Sequence, residues 1–328
     1  MGALGKVMKK ALGDMGFNRG GGIINWFPGH MATATRAIRD RLKLADLVIE
    51  VRDARIPLSS VNEDLQPVLS SKRRVIALNK KDLANPNIMQ KWIQCFDSHK
   101  QDCLSINAHS KTSVKKEKIK RATVGPLPGV TQDIAGYKIA HQPSIYVLDT
   151  PGILVPSIPD IETGLKLALT GAVKDSVVGE ERLAQYLLAV LNSRGTPLHW
   201  RNLNNRRLEG LRAEFKETKE KTLRDLLPKR RKLPTESDIW HIEDLVTQVQ
   251  CALYITFAEF EGNLEDESDL ESLIEEQFVA LQKAMKIPHK ASDEARIMVA
   301  KKFLTLFRMG KLGPFTLDDV PDSHNPVA

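Results

Sequence analysis

The chain has 328 residues, with 48 Lys+Arg against 41 Asp+Glu for a formal charge of +7, and 42% hydrophobic and 27% charged residues. That is enough chain for two domains with their own cores, at ordinary globular usage, which excludes a wholly disordered, collagen-like or coiled-coil protein. Cys95, Cys103 and Cys251 stand in no C-x-x-C or Cys/His spacing, which excludes a disulfide framework and a zinc site and points to a reducing compartment; no run of about 18 apolar residues is present to span a membrane.

In chain order, residues 1–23 are a basic segment. Leu4, Met8, Ala11, Leu12 and Met15 fall on one side of a possible helix and Lys6, Lys9 and Lys10 on the other, the pattern of a weak organellar targeting helix or of a basic tail that grips RNA. From Asp46 the pattern becomes β/α. Short apolar runs at 46–51, 74–78 and 103–107 read as strands, and 87–96 between the last two has helical spacing. Such alternation predicts a parallel sheet covered on both faces. Gly125-Pro126-Leu127-Pro128-Gly129 is a loop, and strands follow at 137–140 and 144–149.

Beyond Ile161 the sequence reads as helical. Gly179-Glu180-Glu181 opens a helix that stops at Gly195, and further helices are expected at roughly 239–260, 269–286 and 292–309. Ser268-x-x-Glu271 forms a capping box for the second of these three, and Ser292 with Asp293 and Glu294 caps the third, which Gly310 ends. Charge is strongly segregated along the chain. Residues 201–232 hold twelve basic and five acidic side chains, 277–311 eight and two, and 233–276 no Lys or Arg against thirteen Asp/Glu. Basic blocks of this density bind polyanions by releasing condensed counterions, and several in one chain point to nucleic acid.

Two motifs carry chemistry at strand ends. Asn79-Lys80-Lys81-Asp82 follows directly on a strand. A guanine base offers an acceptor edge and a donor edge, so its recognition wants an amide on one side and a carboxylate on the other, roles that suit Asn79 and Asp82, while the Lys80 stem can lie along the base. Asp149-Thr150-Pro151-Gly152 follows another strand. A carboxylate there is placed for a magnesium-held triphosphate, the Gly152 N–H for a terminal phosphate, and the Thr131 hydroxyl for the magnesium shell. The competing reading of this second motif is a plain Pro-Gly turn.

Taken together with Trp26-Phe27-Pro28-Gly29-His30-Met31, Asp53-Ala54-Arg55, Ser105-Ile106-Asn107-Ala108, Pro128-Gly129-Val130-Thr131 and the stretch Leu167–Asp175, these motifs give the chain a resemblance. It resembles the circularly permuted GTPases that include the bacterial large-subunit assembly factors and the mitochondrial ribosome-associated GTPases. The resemblance implies an α/β fold in which guanine-binding loops precede phosphate-binding ones, over 24–175, followed by an all-α region over 176–328 that contacts RNA. It implies GTP with Mg²⁺, and K⁺ as a further cofactor; a base contact from Asn107 and Ala108; and Thr131 and Asp149 as magnesium ligands. The partners implied are ribosomal RNA and the large ribosomal subunit, for a monomer in the mitochondrial matrix. After Gly152, where many GTPases keep a water-positioning Gln, stands Ile153, so hydrolysis would need another group; His30 is the catalytic candidate on the chain itself.

One element of that family's site is missing from the sequence. G-x-x-x-x-G-K-[ST], the phosphate-binding loop, occurs nowhere in the 328 residues. In the permuted order it belongs between Ala108 and Gly125, where sixteen residues stand, whereas a strand, the loop and its helix need about 24. Lys111-Thr112 is no substitute, since no glycines precede it to let successive N–H groups converge on a phosphate. Nucleotide binding is therefore expected to be impaired. The lost strand would also lie mid-sheet, leaving two edges unpaired unless the strands of Asp53 and Asp149 close up directly. The alternative functional readings are a nucleotide-independent RNA-binding scaffold and a shortened isoform without function.

Overall fold

The computed structural model describes residues 15, 29–108, 135–150, 152, 158, 160–203, 236–288 and 292–321. The targeting helix, the interval 109–124, the Gly125–Gly129 loop, Thr131, Pro151 and most of the basic 201–232 block lie outside the described residues. The chain divides into two compact units, one of Gly21–Val178 with Arg308–Ala328, the other of Met1–Gly20 with Gly179–Phe307.

The first unit is mixed α/β. It runs α1 (Gly29–Leu42), β1 (Leu47–Asp53), a 3₁₀ turn (Glu63–Leu65) leading into α2 (Gln66–Leu69), β2 (Arg73–Asn79), α3 (Pro86–Ser98), β3 (Asp102–Ser105), β4 (Ala135–His141), β5 (Ser144–Asp149), α4 (Ile161–Leu169) and α5 (Asp175–Val178). β1, β2 and β3 form a parallel sheet with β2 in the middle, Leu47 opposite Arg73 and Val75 opposite Asp102. The apolar core of β2, Ile76 to Leu78, is buried as a central parallel strand requires. α3 starts where Pro86 fixes the first turn and the Asn85 carboxamide oxygen accepts from the Asn87 and Ile88 N–H groups, at 3.0 and 3.3 Å. Its Trp92 and Phe96, ring centroids 5.6 Å apart, seal Ile76 and Leu78; each such side chain contributes about 1.5–3 kcal/mol by leaving water.

The single sheet covered on both faces, expected from the sequence, is not what forms among the described residues. β4 and β5 pair antiparallel as a separate two-stranded ribbon, Ala135 opposite Asp149, and join neither side of β1–β2–β3. A short turn lets two adjacent strands satisfy each other locally, whereas joining two sheets takes a strand that bridges them.

The second unit is helical: α6 (Glu180–Ser193), a 3₁₀ turn (Thr196–Trp200), α7 (Glu236–Glu259), α8 (Glu267–Ala284) and α9 (Ser292–Arg308). α6 stops where Gly195 turns left-handed at φ 61°. α8 starts at Glu267, because the Asp266 carboxylate accepts from the Ser268 and Asp269 N–H groups at 2.9 and 3.2 Å and caps the helix ahead of the Ser268-x-x-Glu271 box. In the core, Asn192 and Gln277 exchange two amide hydrogen bonds of 2.8 Å, a fully satisfied polar pair that fixes how α6 and α8 register. Arg296 bonds Glu181 at 2.7 Å and Glu275 at 2.8 Å and lies over the Phe278 ring. No described helix is long and apolar enough to cross a membrane.

Candidate functional site

The carboxyl ends of β1, β2 and β3 carry the candidate residues, as expected of ligand sites in open α/β sheets. β2 ends at Asn79, whose carbonyl accepts from Ala54 N–H at 2.8 Å while its side-chain oxygen accepts from Ala108 N–H at 3.1 Å. That second bond brings the two loops singled out for the base into contact. Backbone bonds reinforce the junction: Ile106 N–H to Leu78 O at 2.8 Å and Lys81 N–H to Ile106 O at 3.1 Å. Lys80 then takes a left-handed φ of 62°, a costly conformation for a residue with a Cβ, held here by bonds on both sides. Lys81 and Asp82 emerge exposed, Asn107 half-buried and Ala108 exposed.

Asp53, at the end of β1, anchors this edge. Arg55 donates to it from Nε at 2.9 Å, from a terminal nitrogen at 2.7 Å and from its backbone N–H at 3.0 Å, and Lys80 Nζ donates at 2.9 Å. Burial by itself would raise the Asp53 carboxyl, but the Arg55 and Lys80 cations outweigh it and hold the group below the ordinary carboxylate value. Arg55 also donates to Thr170 O at 3.0 Å, and Arg308 donates to Ala168 O and Leu169 O at 2.8 and 3.0 Å and to Asp175 at 2.9 Å. Two arginines thus satisfy the carbonyls left over at the end of α4, which Gly171 closes in a left-handed turn at φ 83°. The Leu167–Asp175 stretch is this helix stop.

A strap from the end of the chain fastens the same edge, and sequence reasoning did not find it. Phe315 N–H donates to Leu83 O at 3.0 Å, Leu317 N–H to Arg55 O at 2.7 Å, and Asn85 N–H to Thr316 Oγ1 at 3.2 Å. Buried Asp318 accepts from the Leu58 and Ser59 N–H groups, both at 2.8 Å, and from Ser59 Oγ at 2.6 Å, and pairs with Lys166 at 3.2 Å. The strap therefore ties the loop after Asp82 to the loop after Asp53.

Fewer of the residues expected to face the phosphates are among the described residues. Asp149 is half-buried at the end of β5, Thr150 and Gly152 are exposed, and a Cβ added at Gly152 would meet nothing within 4 Å. His30 sits in the first turn of α1, with its side chain outside the described residues, as is Thr131. Among the described residues no group of three or more His, Cys, Asp or Glu could hold a metal ion. Asn79 and Ala108 thus meet at the carboxyl end of β2, with Asp82 exposed in the loop that follows.

A parallel sheet with Asn-Lys-Lys-Asp at the carboxyl end of its central strand defines a GTPase-class α/β protein. The family profile described as "50S ribosome-binding GTPase" matches residues 107–227. The chain is 59% identical to "Short integuments 2, mitochondrial" of Arabidopsis thaliana, over 98% of this chain and 96% of that one, and 37% identical to "DAR GTPase 2, mitochondrial" of the same plant over 90% of each. It is 34% identical to "Ribosome biogenesis GTPase A" of Bacillus cereus over 51% of this chain and 71% of that one. The chain belongs to this family of mitochondrial ribosome-associated and ribosome biogenesis GTPases. The GNP-bound crystal structure of YlqF from T. maritima, 18% identical, aligns over 88% of this chain and all of its own with a TM-score of 0.43. The alignment with the first relative runs over 371 positions against 328 residues here, so at least 43 of its positions fall opposite no residue of this chain.

Proposed function

We propose that the protein acts in assembly of the mitochondrial large ribosomal subunit, binding ribosomal RNA, and that its α/β unit reads a guanine base while holding the phosphates of a nucleotide only weakly. Family membership supports the role in ribosome assembly, and relatives named mitochondrial support the compartment. The observation that carries the guanine reading is the 3.1 Å bond from Ala108 N–H to the Asn79 side chain, which sets both candidate base-contact loops at one edge of the sheet beside Asp82. With the Asn79 amide donating to the acceptor edge of the base and Asp82 accepting N1–H and N2–H on the other, and with Asn107 and Ala108 closing over it, the pocket selects guanine by paired hydrogen bonds.

Toward the tail of the nucleotide, Asp149 and Thr131 would hold Mg²⁺ and Gly152 the terminal phosphate, and the ion would neutralise charge developing on the phosphates. No glycine-lysine loop is present in the sequence to share that load. His30 is retained as a candidate helper for hydrolysis, alongside K⁺, because Ile153 offers no group to orient water. The exposed Lys283, Lys286 and Lys301 of the helical unit and the basic 201–232 block would track an RNA backbone.

The decisive substitution is Asp82→Asn. It turns an acceptor into a mixed donor and acceptor, so guanosine binding should weaken at least about tenfold while xanthosine gains. Equal loss of both nucleosides, measured by ligand-observed NMR, would refute the base assignment.

A further inference from the structure

Asp82 is exposed in a short turn that is held from both ends. At the entry Lys81 N–H donates to Ile106 O at 3.1 Å, and Leu83 N–H closes the turn on Lys80 O at 2.9 Å. At the exit the holding groups come from the far end of the chain. Phe315 N–H donates to Leu83 O at 3.0 Å, and the hydroxyl of buried Thr316 accepts from Asn85 N–H at 3.2 Å. Gly310, at a left-handed φ of 70°, approaches Leu83 so closely that a Cβ there would lie 2.8 Å from Leu83 Cδ2. The same strap reaches the other support of the turn: Leu317 N–H donates to Arg55 O at 2.7 Å, and Arg55 and Lys80 share the Asp53 carboxylate. Phe315, Thr316, Leu317 and Asp318 are all buried, so this end of the chain is part of the core of the α/β unit.

We propose that the strap Gly310–Asp318 is a specificity element of the base site: it fixes where the Lys80–Leu83 turn ends, and so where the Asp82 carboxylate stands, with Thr316 as a positioning residue. The proposal rests on the guanine reading above and adds what sets its selectivity. Guanine presents N1–H and N2–H to a carboxylate, and the two bonds form together only when both oxygens stand in register with that edge of the base. Hypoxanthine presents N1–H alone, which a displaced carboxylate still reaches, while its O6 and N7 offer the Asn79 side the same acceptors as guanine. The register of an exposed carboxylate comes from the backbone that carries it, here from the bonds at the two ends of the turn. Loosening the exit should therefore cost guanosine more than inosine.

The test titrates guanosine and inosine into the full chain by ligand-observed NMR and follows amide exchange over Lys81–Asn85. The unsubstituted chain should prefer guanosine by about tenfold or more, the second hydrogen bond to a charged group being the difference. Thr316→Val keeps the shape of the side chain and removes the acceptor for Asn85 N–H. It should cut that preference at least about threefold, mostly through weaker guanosine binding, and speed exchange over Lys81–Asn85 by about tenfold. Thr316→Ser, which keeps the hydroxyl, should restore both. An unchanged preference in Thr316→Val, or an equal loss of the two nucleosides, would overturn the proposal, since the strap would then only hold the fold together. Equal binding of the two nucleosides by the unsubstituted chain would overturn the guanine reading itself, and with it any part of the strap in selecting a base.

Discussion

Lys80 Nζ lies 2.9 Å from Asp53 Oδ2, so the centre of the Asn-Lys-Lys-Asp motif is tied across the sheet to the end of the neighbouring strand. Asp53 is in turn gripped by Arg55, which is buried and donates as well to the Thr170 carbonyl. Four segments distant in sequence, the ends of β1, β2 and α4 and the C-terminal strap, therefore depend on one carboxylate and its surroundings.

Replacing Asp53 by Asn leaves Arg55 buried without its counter-charge, and should cost about 3 kcal/mol in urea denaturation at pH 7. Because the folded carboxyl titrates below its unfolded value of about 3.9, its contribution is present above that pH and is lost as the pH falls through the folded value. The gap between wild type and Asp53→Asn should thus narrow below about pH 4; a constant gap from pH 7 to pH 3 would show that the charge is not what matters.

Asp318→Ala removes the acceptor for two backbone N–H groups, a hydroxyl and Lys166, and should destabilise the α/β unit by about 2–4 kcal/mol. Burial would lower the Lys166 ammonium, yet Asp318 and Glu162 outweigh it and raise it above the ordinary lysine value. That contribution is fully present below about pH 10.4 and is lost as pH rises through the folded value, so the stability gap between wild type and Asp318→Ala should narrow above about pH 10.4. Melting curves between pH 7 and 11 provide the check.

How much of this was legible beforehand follows from which interactions are local. The strands around Ile49, Ile76 and Leu104 and the helices around Trp92, Leu187 and Leu304 stand where apolar spacing puts them, because a buried stripe shows in the sequence itself. The Asn79-Lys80-Lys81-Asp82 motif was visible because its residues are contiguous, and it stands directly at the end of β2. The strap was not: Asp318 stands beside Asp319 and reads as part of a solvated acidic tail, while its partners lie at Ser59 and Lys166. Nor could spacing reveal that Arg55 and Arg308 share the carbonyls at the end of α4, or that β4 and β5 pair with each other in place of joining the parallel sheet.

Asn79→Ala deletes the acceptor for Ala108 N–H and should lower stability by about 1 kcal/mol while weakening guanosine binding at least about tenfold. Chemical-shift changes confined to residues near Ala108 would accompany it; unchanged guanosine affinity would remove Asn79 from the base site.

Burial pushes the Cys103 thiol up to about 11, so at pH 8 only about 0.1% of it is thiolate. Alkylation by iodoacetamide in the native state should be at least about tenfold slower than in the unfolded chain, with mass spectrometry locating the label; equal rates would place Cys103 in a more open setting.

The account stands or falls on how the phosphates are held. Guanosine and GTP titrated side by side into the full chain, with and without Mg²⁺, should give dissociation constants within about tenfold of each other, both weaker than about 10⁻⁴ M. GTP binding in the micromolar range, hundreds of times tighter than guanosine and dependent on Mg²⁺, would contradict it.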